Sequence, residues 1–328
     1  MPLVAVIIVN YGTAGLAAQA VRSALAQNVP DGQLVVHLVD NAAPGDDATT
    51  LRDLHRREGW GARVVLHLEG VNHGFGRGNN VALRALTAAA PRPDHILLLN
   101  PDATLETGAV AALSGFLDKT PTAGCVGAKI TQPGTGPVSA AFRFPTALVE
   151  FVSAANLGPL TRVAGGRTLW HSPDLPTRKV DWVAGAAVML RMDALADAGF
   201  FDPDFFLYFE ETELMHRLAR HGWSCWYLAD AEVIHLEGAA TQVSSGAGQQ
   251  DRRPAYWYAS QRMYYAKTAP RAIAAARAVA RWSGAVLHLL ASRLRGRRPD
   301  QPRAYVPDFA RHVLLPLVFP LKVTRSRE

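Results

Sequence analysis

Apolar residues in this chain fall in short runs that stop at polar pairs. Val4-Ala5-Val6-Ile7-Ile8-Val9 ends at Asn10-Tyr11-Gly12, Leu34–Val39 ends at Asp40-Asn41, and Ile96–Leu99 ends at Asn100-Pro101-Asp102. Runs this short, bounded by turn residues, suit buried parallel strands. Pro101 cannot donate to a sheet ladder, so the third run must end there. A further strand is expected at Arg63–Leu68. Helical spacing fills 15–27, with Thr13 as a cap, then 48–58 and 79–89, and residues 71–80 read as a loop rich in Gly and Asn. This alternation predicts an α/β fold, a doubly wound, mostly parallel central sheet with flanking helices. Ligands in such folds sit outside the carboxyl ends of the strands, so the polar pairs outline a candidate cleft.

Beyond residue 105 the pattern predicts a helix near 106–118 and a strand at Gly124–Ile130. Residues 131–178, with many Pro, Gly and Ser, read as a long loop. Order returns at Val180–Leu190 and in a helix over 210–220, followed by short strands at Trp226–Leu228 and Glu232–His235. An Ala-rich helix is expected over 270–296, broken by three prolines in 299–308. This divides the chain into a domain over 1–250, with halves at 1–105 and 106–250, and a helical extension over 251–328.

Charge changes the reading of that extension. The chain carries 34 Lys/Arg against 28 Asp/Glu over 328 residues, a net +6. From Arg252 onward there are 16 Lys/Arg and three acids, so the body is acidic and the extension basic. In a helix over 271–295, Arg277, Arg281, His288 and Arg295 fall on one face, with Val279, Trp282, Val286, Leu289 and Leu290 largely elsewhere. A basic amphipathic helix with Arg293, Arg295, Arg297 and Arg298 beside it suits an anionic membrane surface, or a helix packed on the body with a solvated basic face. No nucleic-acid-binding module is recognisable. No apolar stretch is long enough to span a bilayer. Two cysteines and no cysteine framework favour a reducing compartment, hence a cytoplasmic protein, at the inner face of the membrane if the basic helix binds there.

Three features carry candidate chemistry. Glu210-Glu211-Thr212-Glu213 follows the aromatic run Phe205–Phe209. Carboxylates crowded against apolar bulk have raised pKa values, which suits a general base. His235 ends a strand and, with Asp102 in reach, would complete an O/N site for Mg2+ or Mn2+. Gly74-Phe75-Gly76-Arg77-Gly78-Asn79-Asn80 lacks the third glycine and the first-strand position of a dinucleotide fingerprint. It remains suited to a nucleotide diphosphate, with Arg77 as its cation, or equally to a plain turn and helix cap.

Together these stretches resemble family 2 inverting glycosyltransferases, especially the bacterial rhamnosyltransferase-like branch. The matching segments are Val6–Tyr11, Val39-Asp40-Asn41, Asn72–Asn80, Leu99–Asp102, Trp182–Ala186, Gly199–Asp202, Phe206–Glu211, Arg217-Leu218, Gly222-Trp223 and His235, in family order. The resemblance implies a GT-A fold and donor contacts from Asn10, Tyr11, Asp40, Asn41, Asn72, Gly74, Phe75, Arg77, Asn79, Asn100 and Asp102. It places the divalent cation on Asp102 and His235, the catalytic base at Glu211, and the acceptor wall at Trp182, Gly185, Ala186 and Glu210.

It also implies a donor such as dTDP-rhamnose or another dTDP- or UDP-sugar. The acceptor would be a glycan or lipid-linked saccharide in cell-surface polysaccharide synthesis. Where the family has Glu-Asp-x-Asp, this chain has Glu210-Glu211-Thr212-Glu213, which moves the base outward by about 1 Å, a shift that can cost about 10²-fold. A catalytically impaired scaffold is therefore the alternative, and a nucleotidyltransferase on a similar sheet a third reading.

Overall fold

The computed structural model describes residues 2–30, 33–236 and 251–319. They fall into two compact units. One runs to Arg143 and resumes at Trp170; the other takes Phe144–Leu169 together with the C-terminal helices.

The first unit begins β1 (Val4–Asn10), α1 (Ala14–Leu25), β2 (Leu34–Asp40), α2 (Asp47–Arg57), β3 (Val64–Leu68), α3 (Gly74–Thr87), β4 (His95–Leu99), β5 (Ala103–Leu105) and α4 (Ala109–Lys119). Every residue of β1 and β4 is buried, as strands covered on both faces require. β1 pairs in parallel with β2 and β4, Asn10 opposite Asp40 and Ile8 opposite Leu99. The three polar strand ends therefore share one edge.

The unit continues with β6 (Ala123–Gln132), β7 (Gly136–Val138) and β8 (Ala141–Phe142). The second unit then contributes α5 (Ala147–Ala155) and α6 (Gly158–Val163). After Trp170 come β9 (Arg178–Val180), β10 (Trp182–Val183), β11 (Ala187–Arg191), α7 (Met192–Ala198), α8 (Glu210–Arg220) and β12 (Ser224–His235). The main sheet runs β3-β2-β1-β4-β11-β6-β12-β5. It is parallel through β3, β2, β1 and β4 and becomes mixed where β11 inserts antiparallel to β4. This is the expected α/β fold of curled central sheet and flanking helices.

Several element boundaries differ from the sequence reading. The loop expected over 71–80 is mostly helix, since α3 starts at Gly74. Its glycines answer to distant neighbours. Gly74 has φ +73° and a Cβ there would lie 1.8 Å from the Phe206 carbonyl oxygen, while one on Gly78 would lie 2.9 Å from Val9 Cγ1. The long loop expected over 131–178 contains β7, β8, α5 and α6. The two short strands near residue 230 are one strand, β12, with a register shift between Leu228 and Glu232.

The second unit adds α9 (Ala255–Thr268), α10 (Arg271–Leu294), α11 (Tyr305–Phe309), a π-helical turn at Ala310–Leu314 and α12 (Leu315–Val318). α10 lies close on α5, because small residues face it. A Cβ on Gly284 would be 2.5 Å from the Phe151 carbonyl oxygen. Glu150 on α5 is buried, 1% exposed, and Arg281 Nη1 donates to it at 2.5 Å. Tyr265 also donates to Glu150, and Arg281 Nε donates to the Tyr305 hydroxyl at 2.5 Å.

This arrangement reverses the expected basic face. Arg281 and His288 point inward, His288 Nδ1 lying 3.1 Å from the Ala155 carbonyl oxygen, while Val279 and Leu290 face solvent. A buried carboxylate requires a cation, and that requirement fixes which side of α10 turns in. Among the described residues no helix is long and apolar enough to cross a membrane.

Candidate active site

The sheet edge at the ends of β1, β2 and β4 is built from side chains that mostly hold one another. Asn10 Nδ2 donates to Asp40 Oδ1 at 3.0 Å and to Asp47 Oδ2 at 2.8 Å, and Asn10 Oδ1 accepts from Thr13 N at 3.2 Å. Asp47 gave no signal in the sequence beyond a polar segment. It faces Asp40, and burial together with that neighbouring charge raises the Asp40 carboxyl above its ordinary value, against the lowering effect of the Asn10 bond. Tyr11, next along, is 44% exposed and so free to meet a planar ligand.

Asn41 organises the start of α3. Its Nδ2 donates to Asn72 Oδ1 at 3.1 Å and to the Gly74 carbonyl at 3.0 Å, and its Oδ1 accepts from His73 N at 3.0 Å. Asn79 Nδ2 donates to the Phe75 carbonyl, and Phe75 packs edge-on against Phe201. Arg77 Nε donates to the His73 carbonyl, which aligns the guanidinium along the helix start. Of the expected donor contacts, Asn10, Asn41, Asn79 and Phe75 therefore serve as scaffold. Tyr11 is exposed, and Asn72, Phe75, Arg77 and Asn100 are half-buried.

Asp102 and His235 do come together. β5 and β12 pair antiparallel with Ala103 opposite His235, and His235 Nε2 lies 3.1 Å from Asp102 Oδ1 and 3.3 Å from Asn100 Nδ2. The Asp102 side chain is 2% exposed and that of His235 13%. A carboxylate oxygen and an imidazole nitrogen at this separation make two donors for a hard or borderline divalent cation. Among the described residues no group of three or more His, Cys, Asp or Glu could hold a metal.

From this corner the backbone leads to the acidic turn. Asn100 N donates to the Ala186 carbonyl at 2.9 Å. A Cβ built on the adjacent Gly185 would meet Glu211 Cγ at 3.5 Å. Trp182 sits further along, stacked on Phe142 at 4.1 Å, with its Nε1 donating to the Arg143 carbonyl.

The three carboxylates of the α8 start are sorted by their partners. Glu213 is bonded by Arg217 Nε at 2.7 Å, and Arg217 in turn donates to the carbonyls of Ala198, Gly199 and Phe200. Glu210 and Glu211 each keep one buried oxygen without a hydrogen-bond partner. Burial raises the Glu211 carboxyl above its ordinary value, although the N–H groups at the helix start pull it down. Glu210, only 3% exposed, is pushed well higher by burial and by the Glu211 charge. Both carboxyls are therefore biased toward the protonated form, Glu210 more strongly than Glu211.

The turn feeding this helix is strained. Tyr208 and Phe209, neither glycine, have φ of 69° and 68°. Left-handed residues of this kind cost about 1–2 kcal/mol each and gather at functional sites. The Phe206 carbonyl accepts from Phe75 N at 3.1 Å, and Asn80 exchanges hydrogen bonds with the Phe201 backbone at 2.8 and 3.1 Å. α3 is thereby tied to the acidic turn.

Comparison with known proteins bears on the family and the fold. The sequence model described as "Glycosyltransferase like family 2" matches residues 2–260. A Mycobacterium tuberculosis protein named N-acetylglucosaminyl-diphospho-decaprenol L-rhamnosyltransferase is 29% identical over 180 residues. That match covers 52% of this chain and 58% of the relative, so it spans little more than half of the relative's length.

Among solved structures, the mannosyltransferase PcManGT from Pyrobaculum calidifontis, in complex with GDP-Man and Mn2+, superposes with a TM-score of 0.54 at 18% identity. That match covers 91% of this chain and 77% of the other. S. aureus TarS 1-349 in complex with UDP gives 0.52 at 14%, covering 90% and 74%. GalNAc-T7 with UDP, GalNAc and Mn2+ gives 0.54 at 13%, covering 76% and 46%. At such identities these structures establish the GT-A fold, while the extent of the family match establishes membership: this chain belongs to the glycosyltransferase-like family 2.

Proposed function

We propose that the chain transfers a sugar, rhamnose from dTDP-rhamnose as the first choice, from a nucleotide diphosphate to a lipid-linked saccharide with inversion. One observation carries the reading. The two-donor Asp102–His235 corner and the half-buried Glu211 carboxylate border the same carboxyl edge, joined through Asn100, Ala186 and Gly185. The choice of donor sugar and acceptor rests on the relative's name.

Tyr11 flanks the donor base, Asp40 accepts from base or ribose, and Arg77 and Asn100 attend the diphosphate. A divalent cation, Mg2+ or Mn2+, when held by Asp102 and His235, would supply positive charge to the departing diphosphate. Glu211 takes the proton of the acceptor hydroxyl, whose oxygen attacks the anomeric carbon opposite the leaving group; one displacement inverts the centre. Base assistance of this kind is worth about 10²–10⁴-fold. Trp182, Gly185 and Ala186 line the acceptor side. Glu210, buried beneath Glu211, acts on the acceptor only through that neighbour. The Glu211 side chain, one methylene longer than the family's aspartate, lies beside Gly185 at ordinary packing distance.

The test is transfer from a panel of nucleotide sugars to a lipid-pyrophosphate saccharide, with the product's anomeric configuration read by NMR. Inverted product from one donor, lost in Glu211→Gln, supports the reading. Retained configuration, or pyrophosphate release from a nucleoside triphosphate instead, overturns it.

A further inference from the structure

We infer that the outward face of α10 is a docking surface for an anionic lipid membrane. The inference deepens the proposed function, on which it rests, since a lipid-linked acceptor must be met at a membrane, but it concerns residues of the helical unit and none of the catalytic residues.

The face is defined by exposure. Ile273, Val279, Leu287, Leu290 and Leu294 are 50%, 46%, 37%, 51% and 89% exposed. At 100° per residue, Val279, Leu287, Leu290 and Leu294 lie within one quadrant, with Ala276 and Ser283 filling it and Ile273 at its margin. The stripe runs about 30 Å along the helix. Opposite it, Ala274, Ala278, Ala285, His288 and Ser292 are buried. The inward side thus holds the histidine and the ion-paired Arg281, and the outward side holds the leucines. A water-facing helix with this distribution is inside out unless something apolar covers it.

Charge identifies the cover. No acidic residue occurs from Arg252 to Pro299. Arg293, Arg295, Arg297 and Arg298 are all exposed at the end of the stripe where Leu294 is most open. Leucines to enter the acyl boundary with arginines beside them to meet phosphates make the pairing an anionic leaflet requires. A protein partner would need a matching acidic rim, and a second copy would set these arginines against their own kind.

The full-length chain should be sedimented with vesicles of phosphatidylglycerol and phosphatidylcholine, and with phosphatidylcholine alone. The triple variant Leu287→Gln/Leu290→Gln/Leu294→Gln should lower partition onto anionic vesicles by about 1,000-fold, roughly tenfold per side chain. Its unchanged melting temperature would show an intact fold. Replacing Arg293, Arg295, Arg297 and Arg298 with Gln should remove the salt-sensitive part of the binding. Undiminished binding by the leucine variant overturns the assignment. So does a wild-type dimer in sedimentation velocity that the same variant converts to monomer, because a second copy then covers the face. Transfer to a water-soluble acceptor analogue, measured in parallel, separates the two claims: its absence in wild type refutes the catalytic reading and leaves the docking result standing.

Discussion

The two adjacent glutamates at the start of α8 offer a prediction in which neighbouring residues of one chemical type diverge. Glu210 is 3% exposed and carries an unpartnered oxygen. Burial and the Glu211 charge push its carboxyl well above the ordinary value, further than burial pushes Glu211, which favours the protonated form. Glu210→Gln imitates that protonated state. Folded Glu210 binds its proton more tightly than the unfolded group, whose ordinary value is 4.5. Wild-type stability therefore falls as pH rises above that value toward the raised folded one.

The glutamine variant lacks this slope and should gain on wild type by about 1.4 kcal/mol for each pH unit between the two values. Its activity should stay within a few-fold of wild type, with the acid limb of the rate profile, set by Glu211, unmoved. Glu211→Gln should lose about 10²–10⁴-fold in kcat, or about 3–5 kcal/mol of transition-state stabilisation. Urea melts across pH 4–9 and single-turnover transfer measure both. Equal loss of activity in the two variants, or an active Glu211→Gln, would refute the division of roles.

Other consequences can be checked independently. Arg281→Met leaves Glu150 buried without its cation and should destabilise the helical unit by about 3–5 kcal/mol, while Arg281→Met/Glu150→Leu should recover most of that loss in thermal melts. Gly74→Ala places a methyl against the Phe206 carbonyl at a positive φ. It should cost several-fold more stability than Gly12→Ala, which shares the φ of +73° but meets nothing within 4 Å and should cost about 1 kcal/mol. Asn80→Ala removes both bonds to Phe201 and should weaken nucleotide binding without changing the acid limb, as titration calorimetry and rate profiles would show.

What could be read from the sequence follows from how local each cause is. β1, β2 and β4 declare themselves, because a strand buried on both faces is apolar throughout and its polar terminus marks the edge. The Asp102–His235 pair spans 133 residues, and only the order of strands in the sheet brings it together. α3 hides its start, since glycines ordinarily oppose helix and here answer to Phe206, Phe201 and Val9 from elsewhere in the chain. α5 and α6 are short and lie among prolines and glycines that read as loop. The orientation of α10 was unreadable from its own period, because Glu150, 131 residues away, decides which face turns in. Likewise nothing in Glu-Glu-Thr-Glu distinguishes the glutamate held by Arg217 from the two that each keep a buried oxygen without a partner.

The proposed role of Asp102 as the anchor of a cation-linked diphosphate is tested most directly by its effect on ligand-induced stability. Thermal unfolding with a nucleoside diphosphate at 100 times its Kd and Mn2+ present should stabilise the wild-type chain by about 2.7 kcal/mol. Asp102→Asn should lose that gain, and Glu211→Gln should keep it. Equal stabilisation of Asp102→Asn and wild type, or stabilisation indifferent to the cation, would contradict it.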